Sequence, residues 1–206
     1  MLAQPSEPVK RTWDPAPATA AAPARTRPWE AELPPLMVRY QNGDPDAVDE
    51  LVRTCSPVLL PFLGAFGLSR ADTEDLFQEC WIRVHKARHT YRAPEPVLPW
   101  IFAIARHTRL DGYRRRRKRE NREVLVASPP ERSAPVQESA GADLTAVQRM
   151  LESLPEAQRE VIFMLKVAGM SLEEVARATS STVGAIKQKA HRAYEKLRLV
   201  LEGERK

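Results

Sequence analysis

The 206-residue sequence holds only 8 glycines, and neither a G-x-G-x-x-G nor a G-x-x-x-x-G-K-[ST] string occurs in it. That removes the loops with which backbone N–H groups usually cradle nucleotide phosphates. Two cysteines, Cys55 and Cys80, are too few for a disulfide framework. Both fall in apolar-periodic stretches where a thiol behaves as a small hydrophobe, so a reducing cytoplasm is the expected setting. No run of about 18 apolar residues occurs, and no basic segment followed by an apolar one opens the chain, so neither a membrane span nor a secretory leader is expected. Nor does strand-like alternation compete with helical periodicity anywhere.

What is present is a globular composition, 43% hydrophobic and 29% charged, long enough for one ordinary domain or two small ones. Residues 1–35 carry 8 of the 18 prolines without sustained periodicity and read as a disordered Pro/Ala-rich tail. Helical periodicity runs over residues 36–122, broken by turn chemistry at Asn42-Gly43-Asp44-Pro45, at Gly64 to Ser69 and at Pro94-Glu95-Pro96. It lapses over residues 123–143, which hold three prolines and four acids against one Arg, and resumes over 144–206. The expected fold is therefore all-α, with two small helical domains joined by a flexible linker. Both domains are basic, with 16 Lys and Arg against 11 acids in the first and 11 against 8 in the second. Two basic units on an acidic linker point to nucleic acid more than to two unrelated solvated surfaces.

In the second unit, Ser171-Leu172-Glu173-Glu174 has the form of a capping box opening a helix through Ala178. After the turn Thr179-Ser180-Ser181, Thr182 caps a second helix to about Arg198, roughly 25 Å long and able to lie in a major groove. Val183, Ile186, Ala190, Ala193, Tyr194 and Leu197 share one arc of that helix, while Gly184, Lys187, Gln188, His191, Arg192 and Lys196 face the other way. A short helix, a three-residue turn and a longer helix with outward donors make a helix-turn-helix. An ordinary amphipathic surface helix is the plainer alternative.

The first unit contains two further helices of interest. Asp72 to Arg88 reads as one helix with Leu76, Phe77, Cys80, Trp81, Val84 and Ala87 inward, and Asp72, Asp75, Gln78, Glu79, Ile82, Arg83 and Lys86 outward. Acids in its first half and bases in its second complement the helix dipole. Ile82 among outward charges resembles the centre of a protein interface with a polar rim. A second helix starts near Pro99 and runs into Arg114-Arg115-Arg116-Arg117-Lys118-Arg119. Phe102, Arg106, Arg109 and Tyr113 fall on one side of it, so rings and guanidinium groups are expected to alternate along an exposed strip, as in single-strand binders.

These residues resemble the extracytoplasmic-function group of the sigma-70 superfamily of bacterial sigma factors. Asp72-Thr-Glu-Asp-Leu-Phe-Gln-Glu-Cys-Trp-Ile-Arg-Val is similar to region 2.2, and Pro99-Trp-Ile-Phe-Ala-Ile-Ala-Arg with Asp111-Gly-Tyr-Arg-Arg-Arg to regions 2.3 and 2.4. Leu154-Pro-Glu-Ala-Gln-Arg-Glu-Val-Ile is similar to region 4.1, and Ser171-Leu-Glu-Glu-Val-Ala with Val183-Gly-Ala-Ile-Lys-Gln-Lys-Ala-His-Arg-Ala to region 4.2. The chain departs from the family pattern in the proline-rich loop Arg92 to Pro99, at Thr179 and Ser180 where Leu and Gly are usual, and at His107 and Thr108 in place of Asn-Leu.

The resemblance implies a sigma region 2 bundle over 36–122 and a region 4 helix-turn-helix over 144–206. It implies that Asp72, Asp75, Gln78, Glu79, Ile82 and Arg83 dock on the β′ clamp helices of core RNA polymerase, with the β flap as a further contact. Tyr91, Arg92, Trp100, Phe102, Arg106, Arg109, Tyr113 and Arg114 would hold the opened −10 element. Arg159, Thr182, Gly184, Lys187, Gln188, His191 and Arg192 would hold the −35 element as duplex. It further implies a cytoplasmic protein with promoter DNA as a partner, no catalytic residue, no cofactor, no metal and no small-molecule substrate. An anti-sigma factor embedded in the membrane would hold the protein at the inner membrane face. Rival readings have less in the residues. Cys80 and His85 fall on opposite sides of one helix, against a zinc site with His89. No Ser/Cys-His-acid motif supports a hydrolase. A stand-alone helix-turn-helix regulator would leave the first unit unexplained.

Overall fold

The computed structural model describes residues 28–66, 68–123 and 150–203; most of the expected tail and nearly all of the expected linker lie outside them. A 3-10 turn, Pro28–Glu32, leads into α1, Leu33–Gln41, followed by α2, Pro45–Gly64, and α3, Arg70–Ala87. A second 3-10 turn, Arg88–Thr90, precedes α4, Val97–Glu123. The second unit comprises α5, Glu156–Ile162, continued by a π turn, Phe163–Val167, then α6, Leu172–Ala178, and α7, Val183–Gly203. Every regular element among the described residues is helical.

Local chemistry accounts for the ends. Asn42-Gly43 ends α1, with Gly43 at φ 88°, and Asp44 caps α2 by accepting from the Asp46 N–H at 3.0 Å. Ser69 caps α3 through the Asp72 N–H at 3.1 Å. Part of the stretch expected to be a tail belongs to the folded unit. Leu33 is fully buried, so residues 28–35 are part of the fold rather than of a tail. Pro34 and Pro35 sit in the first turn of α1, where a missing N–H costs nothing.

Leu33, Met37, Leu51, Leu59, Phe62, Leu63, Val84 and Ile101 fill the first unit's core; Val161, Met164, Val175, Ile186 and Ala193 fill the second's. Each of these side chains other than Ala193 contributes about 1.5–3 kcal/mol on burial. Cys55 and Cys80 are both in the first core, and burial pushes each thiol up to about 12, so neither is a reactive thiolate near neutral pH. Gly112 lets α4 approach α3: a Cβ there would stand 2.7 Å from a methyl of Leu76.

The two units form one continuous core. Phe62 lies 4.9 Å from Phe102 and 5.6 Å from Phe163, centroid to centroid, and α6 packs on α4.

Candidate nucleic-acid interface

The helix-turn-helix is built as its sequence implies. Glu174 N–H donates to Ser171 Oγ at 3.1 Å and Ser171 N–H to Glu174 Oε2 at 2.7 Å, completing the capping box at the head of α6. In the turn, Thr179 is buried and its hydroxyl donates to Val175 O at 2.7 Å. Ser180 adopts φ 50°, a left-handed conformation that favours Gly and costs a non-glycine residue roughly 1–2 kcal/mol. Thr182 Oγ1 accepts from Ala185 N–H at 3.2 Å and starts α7, which extends to Gly203, beyond the expected Arg198. Ile186, Ala190 and Ala193 are buried, whereas Tyr194 is 43% exposed despite its place on the inward arc. Thr182, Gly184, Lys187, Gln188, His191 and Arg192 are all exposed. His191 Nε2 lies 3.3 Å from a carboxylate oxygen of Glu195 one turn on.

On α3, Leu76, Cys80 and Val84 are buried, and Phe77, Trp81 and Ala87 half-buried. Asp72, Asp75, Gln78 and Ile82 are exposed, Ile82 by 49%. Glu79 and Arg83 are half-buried because Arg83 donates to Glu79 at 2.9 Å and to Asp111 of α4 at 2.8 Å. The Arg83 guanidinium, through that bond, holds the Asp111 carboxyl below the usual carboxylate range. This ties the face of α3 to the start of the basic run, where Arg114 to Arg117 are exposed.

The strip on α4 departs from expectation. Tyr113 and Arg114 are exposed, but Phe102 is fully buried against Phe62, and Arg109 is only 4% exposed. The physical reasons differ: Phe102 turns into the first unit's core, whereas the second unit covers the arginines. Arg109 donates to Glu156 at 2.6 Å and to Glu160 at 3.0 Å, and Arg106 donates to Glu160 at 3.1 Å. The Arg109 guanidinium also stacks 3.6 Å from the centroid of the Phe66 ring. Arg159 takes part in the same contact. It donates to Ala65 O at 3.0 Å, and to Glu152 O and Leu154 O, with its guanidinium 5.4 Å from the Phe66 centroid. Burial pulls its pKa down from the usual guanidinium value. In this arrangement Arg159 joins the two units rather than standing with the exposed face of α7.

The loop before α4 is braced. Tyr91 is buried, its hydroxyl donating to Glu95 O and its ring 5.9 Å edge-on from Trp100. Trp100 is half-buried, with its indole N–H donating to Thr90 Oγ1, and Arg92 is exposed. Sequence reasoning missed the brace from α1, where Gln41 donates to Arg88 O at 2.7 Å and to Tyr91 O at 2.9 Å. It also missed Glu156 and Glu160. They lie on another helix some 50 residues on, and no pattern within α4 points to them.

Residues 51–119 match the family described as Sigma-70 region 2, and residues 144–197 match Sigma-70, region 4. The RNA polymerase sigma factor CarQ of Myxococcus xanthus is 30% identical over 80% of this chain and 95% of its own. The ECF RNA polymerase sigma factor SigD of Mycobacterium tuberculosis is 31% identical over 76% and 77%. Among solved structures, CnrH in complex with the cytosolic domain of CnrY aligns with a TM-score of 0.63 and 24% identity, covering 82% of this chain and 96% of that one. The sigma factor RpoE of Bartonella quintana, solved with the anti-sigma factor NepR, aligns with a TM-score of 0.62 and 22% identity over 75% and 96%.

Proposed function

Because the chain belongs to the extracytoplasmic-function group of sigma-70 RNA polymerase sigma factors, initiation factors that bind core polymerase and direct it to specific promoters, we propose how its residues divide that work. Asp72, Asp75, Gln78, Glu79, Ile82 and Arg83 dock on the polymerase clamp. The exposed face of α7, with Thr182 and Gly184 at its start, reads the −35 element in the major groove. Lys187 and Arg192 serve phosphates and purine edges, and Gln188 and His191 supply further hydrogen bonds. The segment Tyr91 to Trp100 and the strip Arg106, Arg109, Tyr113 and Arg114 hold the separated −10 strand, whereas Phe102 serves the core beneath them. Melting then requires no covalent step, since preferential binding of the unstacked strand shifts the duplex toward open. The protein works in the cytoplasm and is held in check there by an anti-sigma partner, as RpoE is seen with the anti-sigma factor NepR.

The observation that carries this reading is the exposure of Lys187, Gln188, His191 and Arg192 on the side of α7 opposite its buried residues. The test is photo-crosslinking of the reconstituted holoenzyme to a promoter it selects. Crosslinks from the −35 duplex should fall on α7 and those from the −10 non-template strand on residues 91–114. The reverse distribution, or strand crosslinks confined to α7, would overturn the assignment.

A further inference from the structure

The first unit presents two guanidinium groups on one side of α4, and the second unit meets them with two carboxylates one helical turn apart on α5. Arg109 is 4% exposed and Glu160 7%, so this pair has left water. Glu156 completes the fork at 2.6 Å and Arg106 adds a second donor to Glu160. Phe66 lies under Arg109 at stacking distance, with Phe62 and Phe163 beside it. Anionic oxygens spaced along a rod, set over guanidinium groups and next to aromatic rings, are also what an unpaired nucleic-acid strand offers.

We infer that α5 acts as a built-in mimic of the strand: Glu156 and Glu160 occupy the places that backbone phosphates take on Arg106 and Arg109, so closure of the two units and capture of the −10 strand are mutually exclusive. This rests on the reading of Arg106 and Arg109 as strand-binding residues. The latch is suited to release. A buried ion pair stabilises little in net terms, because desolvation offsets attraction. Arg109 Nε is buried with no hydrogen-bond acceptor, which leaves the closed form short of full bonding. The docking face of α3 remains exposed in the closed form, so polymerase has access before the strand does.

The test uses the full chain carrying Arg53→Cys and Leu201→Cys for a donor and acceptor dye, both positions being exposed and Leu201 lying on the arc of Tyr194 rather than on the duplex-reading face. A single-stranded oligonucleotide carrying the −10 sequence is titrated into this protein and into its Glu156→Gln/Glu160→Gln counterpart. Expected are a dye separation that lengthens in the double variant and an affinity for the oligonucleotide about tenfold higher, as follows when the competent form is about 10% populated beforehand. By linkage, the oligonucleotide should also lengthen the dye separation in the unmodified latch. Binding of a −35 duplex should be equal in both proteins, which establishes that the second unit is folded. A double variant that opens without gaining affinity, or neither opens nor gains it, overturns the inference. Arg106→Ala/Arg109→Ala holoenzyme separates the two levels. If it loses open-complex formation while the latch variant gains nothing, the strand reading survives and the mimicry fails; if it opens promoters normally, the strand reading itself is wrong.

Discussion

Replacing Ile82 with Glu together with Asp75 with Lys is expected to weaken binding to core polymerase at least about 100-fold, roughly 2.7 kcal/mol. Ile82 is half exposed and ringed by charge on α3, so its apolar area is idle in the free protein and is buried only against a partner. A carboxylate there would have to be desolvated at the centre of the interface, and the new Lys reverses the sign of a rim group that steers association. Neither side chain is in the core, so the fold should persist, with a melting temperature within a few degrees of the parent's. The measurement is anisotropy of labelled core polymerase titrated with the full chain, with −35 duplex binding as a control for folding. Affinity within a factor of two of the parent's would remove α3 from the polymerase interface.

Lys187→Ala with Arg192→Ala carries the second large effect. An Arg to a purine edge contributes about 1–3 kcal/mol, and a phosphate-contacting Lys contributes one unit of salt dependence. The arginine alone should therefore weaken binding to a −35 duplex by about 5-fold to 150-fold, the lysine adds to this loss, and the log-affinity against log-salt slope should flatten by about one. Both residues are exposed, and Ile186, Ala190 and Ala193 hold α7 without them. Unchanged affinity with an unchanged slope would mean that another face of α7 meets the duplex.

The parts that were legible from residues alone are those whose cause is local. Ser171 and Glu174 announce their helix by a hydrogen-bonding scheme contained in four residues. The arc of Ile186, Ala190 and Ala193 is a period of one helix, and the exposed position of Ile82 follows from its neighbours at three and four residues. Phe102 shows where such reasoning stops. Periodicity puts it on a side with Arg106 and Arg109, but Phe102 turns into the core against Phe62 of α2, and Arg109 is covered by α5, some 50 residues away in sequence. A buried guanidinium needs its carboxylate partners before its burial makes sense, and no local pattern supplies them. Arg159 is the same case from the other unit, because its acceptor at Ala65 is set by the packing of the two units. The π turn at Phe163–Val167, which buries Phe163 and Met164, carries no distinctive residue type. Leu33 was ambiguous, since Pro34 and Pro35 suit a first helical turn as well as they suit an irregular segment.

The most direct measurement is transcription by purified core polymerase on fragments of the source genome, with and without this chain and with no inhibitor present. Expected is the appearance of discrete start sites, each with unpaired thymines reactive to permanganate just upstream and a protected duplex about two turns further on. Start sites no more selective than those of core polymerase alone would contradict the division of promoter reading between the two units.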